Sequence, residues 1–383
     1  MSKELFVAVA TLVGFVVGAG ILGLPYVFAQ SGVLTGIISV LAIGLAVMIL
    51  NLMIGEISLR TRSSHQLVGY AERYLGKNGK KLMLIFLLLG WYGAMVAYII
   101  KTGQFLSALL DPVIKINPVY YSIVFALLGS YLVFKGLKLI EKTEFWMITL
   151  LFIILAVIAI FTLPSVQTQN IAEFNLSQFW FPFGVVLFAF GGAGAIPEMR
   201  EELKNNKKLI KKAIIIGTII SALIYILFPI LIVGVTGLNT TDGAILGLGQ
   251  TMGYKMLALG SLFGILTMTT SFIAIGLAIK EIFKFDYRDN EIQSSFLATV
   301  TPFIIAIIII LLKIDNAFYR VIDLNGAIIY PLTSILFVVM FWRARKFGNR
   351  KPEYTLKFAK TLGITVILIF LVGFINEIIK LFF

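Results

Sequence analysis

Eleven stretches of roughly twenty apolar residues recur along this chain, at 5–30, 33–57, 82–109, 119–136, 144–163, 178–199, 212–237, 254–281, 293–312, 318–342 and 358–380. A run of that length crosses the hydrocarbon core of a bilayer. Lipid offers the backbone no hydrogen-bond partner, so such a run becomes a helix or a barrel strand, and the period-two alternation of a strand is missing. The expected fold class is an all-α integral membrane protein with 11 transmembrane helices. Charged residues make up only 13% of the chain and hydrophobic ones 59%, against ~25% charged in soluble domains. The longest hydrophilic connection, Ser58 to Lys81, is too short to fold alone, which leaves a single membrane domain over 1–383. No small-residue cleavage site follows the first stretch, so it is expected to stay as a helix.

Cysteine is absent and His65 is the only histidine. Thiolate chemistry, disulfides and multi-histidine metal sites are thereby excluded, and no G-x-x-x-x-G-K nucleotide loop is present. The net charge of +13 follows topology: 26 of the 32 Lys and Arg fall in alternate connections on one side, in clusters such as Arg60–Lys81, Arg200–Lys212 and Arg343–Lys360. Cytoplasmic loops retain positive charge, so the N-terminus is expected in the cytoplasm and the C-terminus outside, in a multi-pass protein of the plasma membrane. This placement explains the basic balance without nucleic acid as a partner; the lipid bilayer is the expected one. Leu67, Tyr70, Ala71, Tyr74 and Leu75 follow helical spacing among polar residues and predict an amphipathic helix at the membrane interface.

Glycine and proline crowd two places. Residues 14–25 hold Gly14, Gly18, Gly20, Gly23 and Pro25, and residues 188–197 hold Gly191, Gly192, Gly194 and Pro197. Gly14 and Gly18 also fit a G-x-x-x-G packing pair. The G-A-G triplets at 18–20 and 192–194 stand 174 residues, or five spans, apart. An odd number of spans reverses orientation, so breaks in helices 1 and 6 predict two halves of inverted topology, 5–163 and 178–342, with 358–380 as an extra helix.

The runs V-G-A-G-I-L-G-L-P at Val17–Pro25, F-G-G-A-G-A-I-P-E at Phe190–Glu198, T-T-S-F-I-A-I-G-L at Thr269–Leu277 and L-N-G-A-I-I-Y-P-L at Leu324–Leu332 resemble the amino acid/auxin permease family. The bacterial tyrosine and tryptophan permeases are a near branch, within the amino acid–polyamine–organocation superfamily. The resemblance implies a LeuT-like five-plus-five inverted repeat with an eleventh helix and transport of an amino acid by alternating access. The alternatives are an ion or solute channel, which would need a carbonyl filter or a charged ring, neither of them visible, and a non-transporting membrane receptor.

A broken membrane helix frees backbone donors and acceptors that a zwitterion can satisfy. The helix expected to resume near Ile21 would turn free N–H groups of Gly18, Ala19 and Gly20 and its positive dipole end toward a carboxylate. Carbonyls around Phe190, Gly191 and Gly192 would accept the ammonium group. Phe188, Phe190, Ala193, Tyr92, Tyr98 and Ile275 are the candidate selectivity residues, and the space beside Ala193 suits a large apolar or aromatic substrate. Among the charges, Glu56, Glu198 and Glu281 predict structural ion pairs near the inner loops, Lys101 is expected to snorkel outward, and Arg320 and Asp323 to pair at the outer surface. No cofactor is expected beyond a coupling ion, sodium or protons. The resemblance implies that a helix-five lysine replaces sodium in some proton-coupled relatives, and residues 144–163 contain none. It also matches Thr270 and Ser271 to the hydroxyls of sodium-coupled relatives, with Gly14 and Val17 carbonyls completing an oxygen shell for a hard cation. The alternative is that both hydroxyls bond back to preceding carbonyls.

Overall fold

A computed structural model describes residues 2–136, 140–171, 175–287 and 289–382. Lys138 and Arg288 of the basic clusters lie outside the described residues, as do the side chains of Lys142 and Glu144. The described residues form helices joined by short loops, and the all-helical expectation holds.

The chain opens with α1 (Lys3–Val16), capped by the Ser2 hydroxyl, which accepts the Leu5 N–H at 3.4 Å. Val17, at φ −79° and ψ 70°, leaves helical geometry, and α2 (Gly20–Ser31) resumes at 57° to α1. Gly32 joins α2 to α3 (Val33–Arg60) at φ 84°, a conformation that favours glycine. Next come α4 (Leu67–Leu110), kinked at Gly76 with φ 76°, α5 (Pro118–Lys135) and α6 (Ile140–Thr162). Two short helices follow, α7 (Phe183–Ala189) and α8 (Ala195–Glu202), separated by a non-helical stretch at 190–194. The chain continues through α9 (Ile210–Thr236), α10 (Ile245–Met252), α11 (Tyr254–Glu281) and α12 (Glu291–Leu311). The last three are α13 (Ala317–Leu324), α14 (Tyr330–Phe347) and α15 (Ala359–Phe382), with a π-helical turn over Asn325–Ile329 joining α13 to α14.

Among the described residues, eight helices are long and apolar enough to cross a membrane, nine when α1 and α2 count as one bent span. Two of the eleven sequence segments fall outside that count. Segment 178–199 is divided into helices of seven and eight residues, and α6 carries a shorter apolar stretch at Phe152–Ser165.

The two broken helices sit at the centre. α1 packs on α8 and α9, α2 on α3, α7 and α9, and α4 on α5, α11, α13 and α14. Gly326 lets the π-helical turn touch α7, since a Cβ there would overlap the Gly184 carbonyl. Outward faces stay apolar: Leu127 and Leu128 of α5, Ile304 and Ile308 of α12, and Leu368 and Val372 of α15 are exposed, as lipid-facing positions should be. The stretch expected at the interface is instead packed into the protein: Leu67, Tyr70, Ala71 and Tyr74 are buried, with the Tyr74 hydroxyl 2.7 Å from Thr61 Oγ1.

Candidate functional site

The breaks in α1/α2 and α7/α8 lie against each other. A Cβ on Gly20 would fall 2.5 Å from Ala189 Cα, so only glycine permits this approach. Tyr225 of α9, fully buried, ties both breaks together: its hydroxyl lies 2.6 Å from the Val16 carbonyl and 2.8 Å from that of Ala189. Helix resumes at Gly20, one residue earlier than expected. The Gly18 N–H is spent on Val16 O at 2.8 Å, whereas no acceptor among the described residues meets the N–H of Ala19 or Gly20. On the other break, Gly192 O accepts the Ala195 N–H at 3.1 Å, while the Phe190 and Gly191 carbonyls receive no backbone N–H. Free groups of both kinds thus stand at both breaks, since the N–H groups of Gly192, Ala193 and Gly194 also meet no acceptor among the described residues and the Gly14 and Val17 carbonyls receive no backbone N–H. That arrangement matches the two ends of an α-amino acid.

A cavity of about 510 Å³ begins at these breaks, a size suited to a small organic ligand. Gly14, Val17, Gly18, Ala19, Gly20, Phe188, Gly191, Ala193, Tyr98, Thr270, Ser271 and Ile275 all line it. Three sequence candidates do not. Phe190 packs edge-on against Tyr225, ring centroids 5.1 Å apart, and beneath Gly44 of α3. A Cβ on Gly192 would strike Val16 Cγ2 at 2.5 Å, so that glycine serves packing with α1. Tyr92 turns to α12 and donates to the Leu297 carbonyl at 2.7 Å. Trp91, Asn325 and Tyr330 line the cavity and were not found from sequence; the L-N-G-A-I-I-Y-P-L run that holds two of them was noted only for its resemblance.

The cavity extends to Gln66, Glu198, Glu201, Glu202 and Glu281, the end of the bundle that carries the N-terminus. The opposite end is closed. Tyr26 meets Tyr319 edge-on with centroids 5.1 Å apart, and Phe181 stacks on Tyr319 at 5.4 Å. Lys101 does not snorkel: it is fully buried, pairs with Asp242 and lies 5.3 Å from the Phe318 ring centroid. A separate hollow of about 420 Å³ lies beyond this closure, lined by Tyr26, Gln30, Gln104, Asp242 and Asn316.

The remaining charges differ from expectation in two places. Arg320 does not pair with Asp323, which is buried and accepts the Tyr319 hydroxyl at 3.2 Å. Glu281 lines the cavity, and its neighbour Lys280 pairs instead with Glu291 at 3.1 Å. Glu56 forms the expected ion pairs, with Arg60 at 2.8 Å and Arg345 at 3.4 Å.

Residues 1–380 match the tryptophan/tyrosine permease family. The chain belongs to that family. It is a multi-pass membrane permease of amino acids and not an enzyme. Similar proteins include the tyrosine-specific transport system 1 of Haemophilus influenzae, 24% identical over 362 residues that cover 88% of each chain. The glutamine transporter 2 of Aliivibrio fischeri is 24% identical over 362 residues, 90% of each chain. Among solved structures, the fold of this permease is similar to that of MhsT, crystallised in complex with L-phenylalanine, with a TM-score of 0.69 at 14% identity over 100% of this chain and 99% of the other.

Proposed function

We propose that this permease carries a large apolar or aromatic amino acid by cation-coupled alternating access. The observation that supports this most is that free N–H groups at Ala19 and Gly20 and the free carbonyl at Gly191 belong to residues at the head of one cavity, with the free Phe190 carbonyl next in sequence. The carboxylate takes the donors and the positive end of α2; the ammonium group takes the carbonyls. No charged side chain is needed. Phe188, Tyr98, Trp91 and Ile275 supply the apolar wall beyond, which favours a bulky side chain. The cavity reaches one end of the bundle while Lys101–Asp242 and the Tyr26–Phe181–Tyr319 cluster close the other, the geometry of a state open to one side only.

The architecture in this reading is eleven spans, with 5–163 and 178–342 as inverted repeats and 358–380 added. The N-terminus lies in the cytoplasm, the C-terminus outside, and the membrane is the plasma membrane. The open end, which carries the N-terminus, is then the inner one. Orientation is checked by labelling single cysteines introduced at exposed Lys208 and Leu238 from either side. The chain's lack of cysteine makes each label unique.

Sodium is the coupling ion of this reading. The carbonyls of Gly14 and Val17 receive no backbone N–H, and Thr270 and Ser271 stand on the facing wall. Thr270 donates its proton to Thr267 O at 2.8 Å, which leaves the oxygen lone pairs available to a cation. Proteoliposomes test both parts: a sodium gradient drives uptake of the preferred amino acid, and Thr270→Ala raises the sodium concentration for half-maximal uptake about tenfold or more, equal to the loss of one good ligand. Uptake driven equally well by a pH gradient in sodium-free buffer overturns the ion assignment. Saturable binding of none of the large amino acids overturns the substrate.

A further inference from the structure

Asn325 is the first residue of the π-helical turn, where the Tyr330 N–H bonds to its carbonyl five residues back. A π turn re-aims the side chains on either side of it and recurs at functional sites. Here it serves two contacts at once. Tyr330, past the turn, sets its ring 3.4 Å from the Cβ position of Gly191 at the break, and Asn325, before it, reaches α4 at Gly90 and Gly93. Asn325 Nδ2 donates to the Gly90 carbonyl at 2.6 Å. A carbonyl accepts only, so this bond fixes which way the amide points. No donor among the described residues reaches Asn325 Oδ1, and the residue is half-buried in the cavity wall. The lining also holds Leu87, Trp91, Ile329, Phe337 and Tyr330, and Thr333, whose hydroxyl is spent on the Ile329 carbonyl at 2.8 Å. Gly90 and Gly93 make the approach feasible, since a Cβ at Gly93 would press on Nδ2 at 3.0 Å.

We propose that Asn325 is a specificity residue, whose Oδ1 accepts a hydrogen bond from the phenolic O–H or indole N–H of an aromatic substrate side chain. The proposal rests on the reading above that the cavity takes a large amino acid. A pre-oriented acceptor in an apolar wall rewards a side chain that ends in a donor. It penalises an isostere that leaves the oxygen unpaired or carries an acceptor or methyl in its place.

The test is binding to the purified full chain by competition and thermal shift, with tyrosine, phenylalanine, 4-methoxyphenylalanine, tryptophan and 1-methyltryptophan. In the wild type, tyrosine should bind about tenfold more tightly than phenylalanine and 4-methoxyphenylalanine, and tryptophan about tenfold more tightly than 1-methyltryptophan. Asn325→Leu should lower tyrosine and tryptophan to the phenylalanine level and leave phenylalanine within about threefold. Equal wild-type affinities across the series would overturn the proposal, and that series needs no variant to fold. A parallel loss for all five ligands in Asn325→Leu would also overturn it, since a purely structural role acts that way. Binding of small amino acids with no aromatic ligand at all would overturn the underlying substrate reading, and this inference with it.

Discussion

Replacing Gly20 with alanine adds one methyl group at the point where the two broken helices touch. That methyl carbon would sit 2.5 Å from Ala189 Cα, 2.7 Å from its Cβ and 3.3 Å from its nitrogen. Carbon atoms in contact rest about 3.5–4.0 Å apart, so the shortfall is roughly 1 Å. Ala189 offers backbone rather than a mobile side-chain tip, and Tyr225 anchors its carbonyl at 2.8 Å. α2 and α7 must therefore separate, at an overpacking cost of about 1–3 kcal/mol, offset by about 0.4–1 kcal/mol from the stiffer unfolded chain. Gly18 is the internal control. Its added methyl meets only Ser271 Oγ at 2.7 Å, with the next atom at 3.6 Å, and a hydroxyl can rotate away. Equilibrium binding of a radiolabelled amino acid to both variants reads the difference. Gly20→Ala should lose about tenfold or more in affinity, because the two breaks move apart, while Gly18→Ala, measured at saturating sodium so that the displaced Ser271 hydroxyl does not weigh on the result, should stay within about threefold. Equal affinities in the two variants would refute the geometry. A larger side chain at Gly20 acts by the same route, since the Cβ direction points at Ala189 and not into the approach to the N–H groups.

Tyr225→Phe keeps the ring against Phe190 but leaves the Val16 and Ala189 carbonyls without their donor; stability should fall by about 1–2 kcal/mol and affinity severalfold for every substrate alike, and unchanged melting and binding would sink the bridging role. Lys101→Met strands Asp242 at the closed end, which should destabilise by about 3 kcal/mol, whereas Lys101→Met with Asp242→Leu should recover most of it. Thermal melting in detergent decides, and single and double variants of equal stability would show that the pair is not coupled.

The glycine-dense runs made the two breaks legible, because helix-weakening residues in a span need a reason and the same pattern recurs 174 residues later. The walls of the cavity were partly legible through adjacency to those runs, as for Phe188 and Ala193. Which way an aromatic faces was not. Tyr92 and Tyr98 lie in one span that is apolar nearly all round, so no amphipathic stripe separates cavity side from packing side. Phe190, in the break itself, has no helical face to read. Lys101 was misread because its partner, Asp242, stands 141 residues away in a loop. Tyr225, a lone tyrosine in an apolar helix, gave no local signal, and Asn325, although inside a run noted for its resemblance, owes its aim to a π turn that no composition announces.

In the reading proposed above, recognition of the α-amino acid end by Ala19, Gly20 and Gly191 rests on main-chain N–H and C=O groups. Point mutation replaces side chains and leaves those atoms in place, so the part of the ligand common to every amino acid is read by atoms that sequence drift cannot delete. In the same reading the side-chain end is met by replaceable groups of the cavity wall such as Phe188, Ile275 and Asn325. Selection for a new substrate therefore has few positions to alter and no need to rebuild zwitterion binding, and a scaffold of this kind can diverge in diet while keeping one way of holding its cargo.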